Sequence, residues 1–193
     1  MVKGKVVRLY IEGGGNSESR NRLRKSFRAF LENGDRLFRD KSASLRIIFC
    51  GSKTSAYENF RDGLVDYPQA QNLLIVDSDG PKELSQNCWQ YLGWNSFGAD
   101  EWQCQLMVQE MEAWFLADIE ALKAVFRKKL NAKTTNNVEQ ISNPKELLKK
   151  YTQDNYNVIA HAASLLVAID VAKVRQAAPH CDRLFKTLSE KMN

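Results

Sequence analysis

A chain of 193 residues is long enough for one α/β domain carrying extra helices. Its composition, 44% hydrophobic and 26% charged, is ordinary for a soluble protein, and its net charge of +5 permits a polyanionic partner without requiring one. Four dispersed cysteines (Cys50, Cys88, Cys104 and Cys181) form no C-x-x-C pair, which argues against a zinc ribbon or a disulfide framework and leaves free thiols in a reducing cytoplasm as the expectation.

The N-terminal apolar run is interrupted at Glu12. It is too short for a signal peptide, and no run approaches membrane-spanning length. Residues 5–11 (K-V-V-R-L-Y-I) read as a first strand, rich in β-branched residues and Tyr. It ends in Glu12 and three glycines, a turn that permits close backbone approach. The turn is neither a Walker loop nor a G-x-G-x-x-G fingerprint. Ser17 is suited to cap a helix reaching about Glu32, with Glu18 in its first turn and Leu23, Phe27, Phe30 and Leu31 on its apolar face. Its other face carries Arg20, Arg22, Arg24, Lys25 and Arg28, read by default as a solvated face. Residues 44–50 (S-L-R-I-I-F-C) form a second strand, and a helix follows to about Gly63.

Residues 72–81 (N-L-L-I-V-D-S-D-G-P) combine an apolar run with a Gly-Pro stop, the pattern of a buried parallel strand. Asp77 and Asp79 sit at its C-terminal end. If the chain stays extended, residues two apart share a face, so both carboxylates aim into one space and Ser78 turns away. Such a pair repels itself unless a hard divalent cation lies between. The alternative is that each merely caps a turn.

The order strand–helix–strand–helix–strand implies a parallel sheet, with ligands outside the carboxyl ends of the strands. Glu12, Asp77 and Asp79 all fall at that edge. Residues 88–102 hold Trp89, Tyr91, Trp94, Phe97 and Trp102, aromatics read as packing an excursion onto the domain, with base stacking as the alternative. Residues 103–109 suit a fourth strand, running into a helix over 110–118. Glu110 and Glu112 are either further metal ligands or first-turn acids favoured by the helix dipole.

From Ile119 onward the pattern is helical, over 119–130, 145–151, 157–169, 171–178 and 180–191, with a polar loop at 131–138. His161 and His180 read as structural. Lys145, Lys149 and Lys150 are candidate phosphate contacts or a solvated face. The expected architecture is an α/β core over residues 1–118, with a parallel four-stranded sheet flanked by helices, and a C-terminal helical extension over 119–193 packed on it.

A strand ending in Glu-Gly followed by an Asp-x-Asp strand resembles the Toprim domain of topoisomerases, primases and the overcoming-lysogenization-defect nucleases. More narrowly, Y-I-E-G-G-G-N-S-E-S (10–19), C-G-S (50–52), L-L-I-V-D-S-D-G-P (73–81) and L-M-V-Q-E-M-E-A-W-F-L-A-D (106–118) resemble a bacterial Toprim-like family of unknown function. That family is often encoded beside an ATPase and suspected in phage defence. The resemblance implies that Glu12 is the Toprim glutamate and that Asp77 and Asp79 are its D-x-D, as catalytic residues and ligands to Mg²⁺ or Mn²⁺. Related nucleases place a second acid in the pattern E-G-x-x-E. Here the glycine insertion moves the nearest acid, Glu18, farther along. Glu112 matches a family hallmark and joins Glu18 as a candidate metal ligand, and Lys145 is the candidate nucleic-acid contact.

The expected function is Mg²⁺-dependent phosphodiester chemistry on nucleic acid in the cytoplasm, with an ATPase as a partner and no membrane. One rival is a catalytically degenerate Toprim fold that regulates an ATPase. Another is a metal-dependent phosphatase, because D-S-D-G resembles the haloacid dehalogenase signature, although Pro81 stands where that family has Thr or Val. A nucleotide-sugar transferase using D-x-D for Mn²⁺ is a more distant rival.

Overall fold

Why the chain folds as an α/β layer is visible in how its strands divide their side chains. The structure is a computed structural model that describes residues 6–41, 44–127, 130, 132–133 and 135–193. The expected start of the first strand at Lys5, the N-terminal residues 1–4, Lys128 and Lys129 of the expected 119–130 helix, and positions 131 and 134 of the polar loop lie outside these residues.

Four strands, β1 (Val7–Glu12), β2 (Leu45–Gly51), β3 (Gln71–Asp77) and β4 (Cys104–Met107), form one sheet in the order β2-β1-β3-β4. Every pairing is parallel. Alternation sends Leu9, Ile11, Leu73 and Ile75 into one core, and Tyr10, Leu74 and Val76 into a second core on the opposite face. Helix α1 (Ser17–Gly34) covers the first face through Leu23, Phe27, Phe30 and Leu31. Helix α3 (Lys53–Asp66) covers the second through Ala56 and Phe60. The α/β class and the all-parallel four-stranded sheet are therefore as the sequence predicts.

Between α1 and β2 lies a short helix, α2 (Arg36–Asp40), started by Asp35, whose side chain accepts the Leu37 N–H at 2.9 Å. The segment before β4 carries α4 (Cys88–Leu92). Trp89 is buried there and donates its indole N–H to the Asp100 carbonyl at 3.1 Å, so the packing role expected for this aromatic holds. Cys88 and Cys104 are joined by a disulfide, which corrects the expectation of four free thiols. The two positions are 16 residues apart in sequence, and their proximity arises only because α4 folds back on the start of β4. Cys50 and Cys181 are free and buried.

After β4 come α5 (Glu112–Phe115), α6 (Ile119–Phe126), α7 (Pro144–Tyr151), α8 (Val158–Ala168), α9 (Val171–Ala177) and α10 (Pro179–Met192). Their apolar residues join the α1 side of the sheet in one core, where Trp114 stacks on Phe30 at 5.4 Å and Phe185 meets Phe30 edge-on at 5.6 Å. The helix expected over 110–118 is a single turn. Asp118 ends it and caps α6, accepting the Ala121 N–H, the Asp170 N–H at 3.0 Å and the Lys173 ammonium at 2.7 Å. Among the described residues, no helix is long and apolar enough to cross a membrane.

Candidate functional site

The chain steps from β1 to β2 on one side and then crosses back past β1 to β3 on the other. The β1/β3 boundary is therefore the point where an open parallel sheet leaves a crevice beyond its carboxyl edge. Glu12 is the last residue of β1 and Asp77 the last of β3, so the two acids flank that crevice.

The turn after Glu12 is built around glycine. Gly13 and Gly51 exchange backbone hydrogen bonds at 2.7 and 3.0 Å, with φ of +121° and +90°, values that side-chain-bearing residues rarely adopt. Asn16 then caps α1 by accepting the Ser19 N–H at 2.9 Å. The Glu12 carboxylate turns across the crevice, where its Oε2 accepts the backbone N–H of Asp77 at 3.0 Å.

Asp77 points inward, and its Oδ1 accepts the Met111 N–H at 3.1 Å. The expected partnership with Asp79 takes a different form, because alternation holds only while the chain stays extended. β3 ends at Asp77, and Asp79 adopts a left-handed φ of +55°. Its side chain is 68% exposed and forms an ion pair with Lys53 at the start of α3. Ser78, expected to turn away, is buried, and its hydroxyl accepts the Gln109 N–H at 2.8 Å. Ser78 thereby locks the end of β3 to the segment following β4.

That segment brings two more acids. Glu112 is only 4% exposed, and its Oε1 accepts the Tyr156 hydroxyl at 3.0 Å. Glu110 faces the first turn of α7, where the backbone N–H and the charge of Lys145 reach it. Lys145 is thus near Glu110, whose charge it opposes, and among the described residues its side chain forms no ion pair with an acid. Glu18 is exposed in the first turn of α1, where the helix dipole favours an acid. His161 shares hydrogen bonds with the backbone of Asn157 at the start of α8, as a structural residue should. His180 is less isolated than the sequence implied. Glu139 accepts both its backbone N–H and its ring Nδ1, each at 2.7 Å, inside the protein.

The electrostatics follow from this placement. Burial, then the negative charges of Glu12 and Glu112, push the Asp77 carboxyl well above the usual carboxylate range; the Met111 N–H opposes them and Asp79 adds to them. Burial raises Glu12 too, against the Asp77 N–H and the Lys53 charge. Burial and Glu112 raise Glu110, against Lys145. Burial, then the charges of Glu112, Glu110 and Asp77, raise the Tyr156 phenol, so it remains a proton donor. The site is a pocket of negative charge, and among the described residues no buried cation is matched to it. Its donors are carboxylate oxygens, the chemistry preferred by Mg²⁺ and Mn²⁺. As placed, no three His, Cys, Asp or Glu side chains among the described residues form a group that could hold a metal ion.

Sequence reasoning missed Tyr156, Lys53 and Arg20. Arg20 lies over the glycine turn, where its Cγ occupies the space a Cβ on Gly14 would need. The position of Arg20, one turn into the helix that follows the Glu12 turn, was the available signal. Tyr156 and Lys53 carried none, because they reach the site through tertiary packing.

One family model matches the chain over residues 6–189, that of a domain of unknown function (DUF4276). No curated protein and no solved structure matches it.

Proposed function

This chain belongs to the DUF4276 family, and from that premise we propose that it is a Toprim-type, divalent-metal-dependent nuclease. The observation that carries this reading is the half-buried Asp77 carboxylate, set between Glu12 and Glu112 at the β1/β3 crevice with neighbours that penalise its charge. Charge penalties of this kind cluster where chemistry is done. Glu12 and Asp77 would hold Mg²⁺ or Mn²⁺, with Asp79 and Glu112 as further ligands and Glu18 as the remaining acid of the set. A bound ion of this type neutralises phosphoryl oxygens and lowers the pKa of a water. Glu12 would serve either as a ligand to the ion or as a general base toward a water at the crevice. Lys53 supplies a positive charge at the crevice mouth, available to a scissile phosphate once Asp79 turns from it. Tyr156 orients Glu112 through its hydroxyl.

A second reading is a catalytically degenerate Toprim fold that regulates an ATPase partner. The Asp79–Lys53 ion pair favours it, because a lysine there answers the charge a metal would otherwise neutralise. Work beside an ATPase, and in phage defence, is common to both readings and rests on the family resemblance alone.

Calorimetric titration of Mn²⁺ and Mg²⁺ into the wild type and an Asp77→Asn/Asp79→Asn variant, followed by oligonucleotide cleavage assays, tests the proposal. Binding and cleavage in the wild type, both lost in the variant, are expected. Metal binding by neither protein would shift the reading to the regulatory one.

A further inference from the structure

Between residues 20 and 28 the sequence places five cations and no acid. A basic helix face is ordinarily just solvated, so the question is where this one leads. Ser17, Arg20, Asn21 and Arg24 follow the i, i+3, i+4, i+7 spacing of one helical stripe. Together with residues 47–49 of the edge strand β2, they line a groove of about 250 Å³. Arg28, farther along, donates to the Leu45 carbonyl at 2.8 Å and ties α1 to the start of the same strand.

At its other end the groove meets the Glu12 turn. The aliphatic stem of Arg20 lies against Gly14, and its guanidinium comes within 3.9 Å of the place a Cβ on Gly51 would occupy. Arg20 is therefore laid across the glycines that flank Glu12. Among the described residues, Arg20, Arg22, Arg24 and Lys25 enter no ion pair. Unpaired guanidinium groups in a row suit bidentate contacts to phosphate. The run from Arg20 to Arg24 rises about 6 Å, a length over which a duplex carries about three or four phosphates.

The geometry points to α1 as a track that leads a nucleic-acid backbone toward the Glu12–Asp77 crevice, with Arg20 and Arg24 gripping its phosphates. The inference rests on reading that crevice as a nuclease site, but it makes a binding claim that can be tested without cleavage. The contacts are to phosphate, so they carry no base preference.

The test is fluorescence anisotropy of labelled 20-nucleotide single strands and 20-base-pair duplexes, of DNA and of RNA, with the full chain in chelator across a salt series. Arg20→Gln/Arg24→Gln should weaken binding at least tenfold on every sequence. It should also flatten the salt dependence by about 1 per phosphate contact removed. Arg20→Lys/Arg24→Lys should retain most of that slope. Lys123→Gln/Lys186→Gln removes the same charge from α6 and α10 and should leave the slope unchanged. An unchanged slope in the arginine-to-glutamine variant, an equal loss in the lysine control, or no binding by the wild type would overturn the inference. Binding with the expected slopes but no cleavage in Mn²⁺ would sink the nuclease reading while the track stands. Cleavage with an unchanged KM in the arginine-to-glutamine variant would sink the track alone.

Discussion

Replacing Asp77 by Asn should make the metal-free protein more stable, not less. The substitution keeps the inward acceptor for the Met111 N–H, 3.1 Å away, and keeps the backbone N–H that Glu12 accepts at 3.0 Å. What disappears is one half-buried negative charge between two others. Burial and the Glu12 and Glu112 charges raise the Asp77 pKa in the folded state. A raised carboxylate pKa means the fold holds the proton more tightly than the unfolded chain does. Its cost is absent below the unfolded value, near about pH 4, and grows as pH rises through the folded pKa. Relief of a poorly matched buried charge is worth on the order of 1–2 kcal/mol. For a chain of this size that is a rise in Tm of roughly 2–8 °C. The assay is thermal unfolding by circular dichroism in chelator from pH 4 to pH 8, with the gain in the variant largest at pH 8. Mn²⁺ at about 100 times its Kd should then add about 2.7 kcal/mol to the wild type and nothing to the variant, reversing their order. A variant less stable than wild type at pH 8 in chelator would refute the reasoning, since it would show that the fold needs the Asp77 charge.

Three further outcomes follow from the structure. Tyr156→Phe removes the hydroxyl that Glu112 accepts and should weaken Mn²⁺ binding about 10–100-fold by calorimetry; unchanged affinity would place Glu112 outside the metal's ligand set. Reduction of the Cys88–Cys104 disulfide, whose partners are 16 residues apart, should cost about 3 kcal/mol in urea unfolding. Alkylation of the denatured, unreduced chain should label two cysteines, Cys50 and Cys181. Burial alone would raise the Asp118 carboxyl, but hydrogen bonds from Lys173 and the Asp170 N–H hold it below its usual range. Its stabilisation is thus present above about pH 4 and is lost as pH falls through the lowered pKa. Asp118→Asn should cost about 1–3 kcal/mol at pH 7 and progressively less below pH 4 in the same unfolding experiment.

Where local pattern decides structure, the sequence was legible. The run 73–76 is apolar on both faces because each face of the sheet packs on its own core, Leu73 and Ile75 on one and Leu74 and Val76 on the other, and the alternation in β1 splits its residues the same way. Where a later segment decides, it was not. β4 stops at Met107 instead of 109 because Gln109 takes a φ of +65° to let its N–H reach Ser78. The helix expected over 110–118 shrinks to one turn because Asp118 is recruited by α6, Asp170 and Lys173. The disulfide was invisible for the same reason, since spacing alone does not reveal that α4 returns to β4.

The same division runs through the candidate site. That Glu12 and Asp77 share an edge follows from two strands ending in acids within a parallel sheet, so topology alone places them. Their orientation depends on donors far along the chain, 34 residues from Asp77 to Met111 and 44 from Glu112 to Tyr156, which no local pattern encodes. The departure of Asp79 has a still more local cause, a single left-handed residue just past the last extended one. The glycine turn joins these threads. Gly13 closes the end of β1 against β2 and leaves Glu12 facing β3, while Gly14 makes room for the Arg20 stem. A side chain at Gly14, where φ is +81°, would strain the turn and collide with the Arg20 stem. The anionic crevice and the cationic helix therefore share one turn.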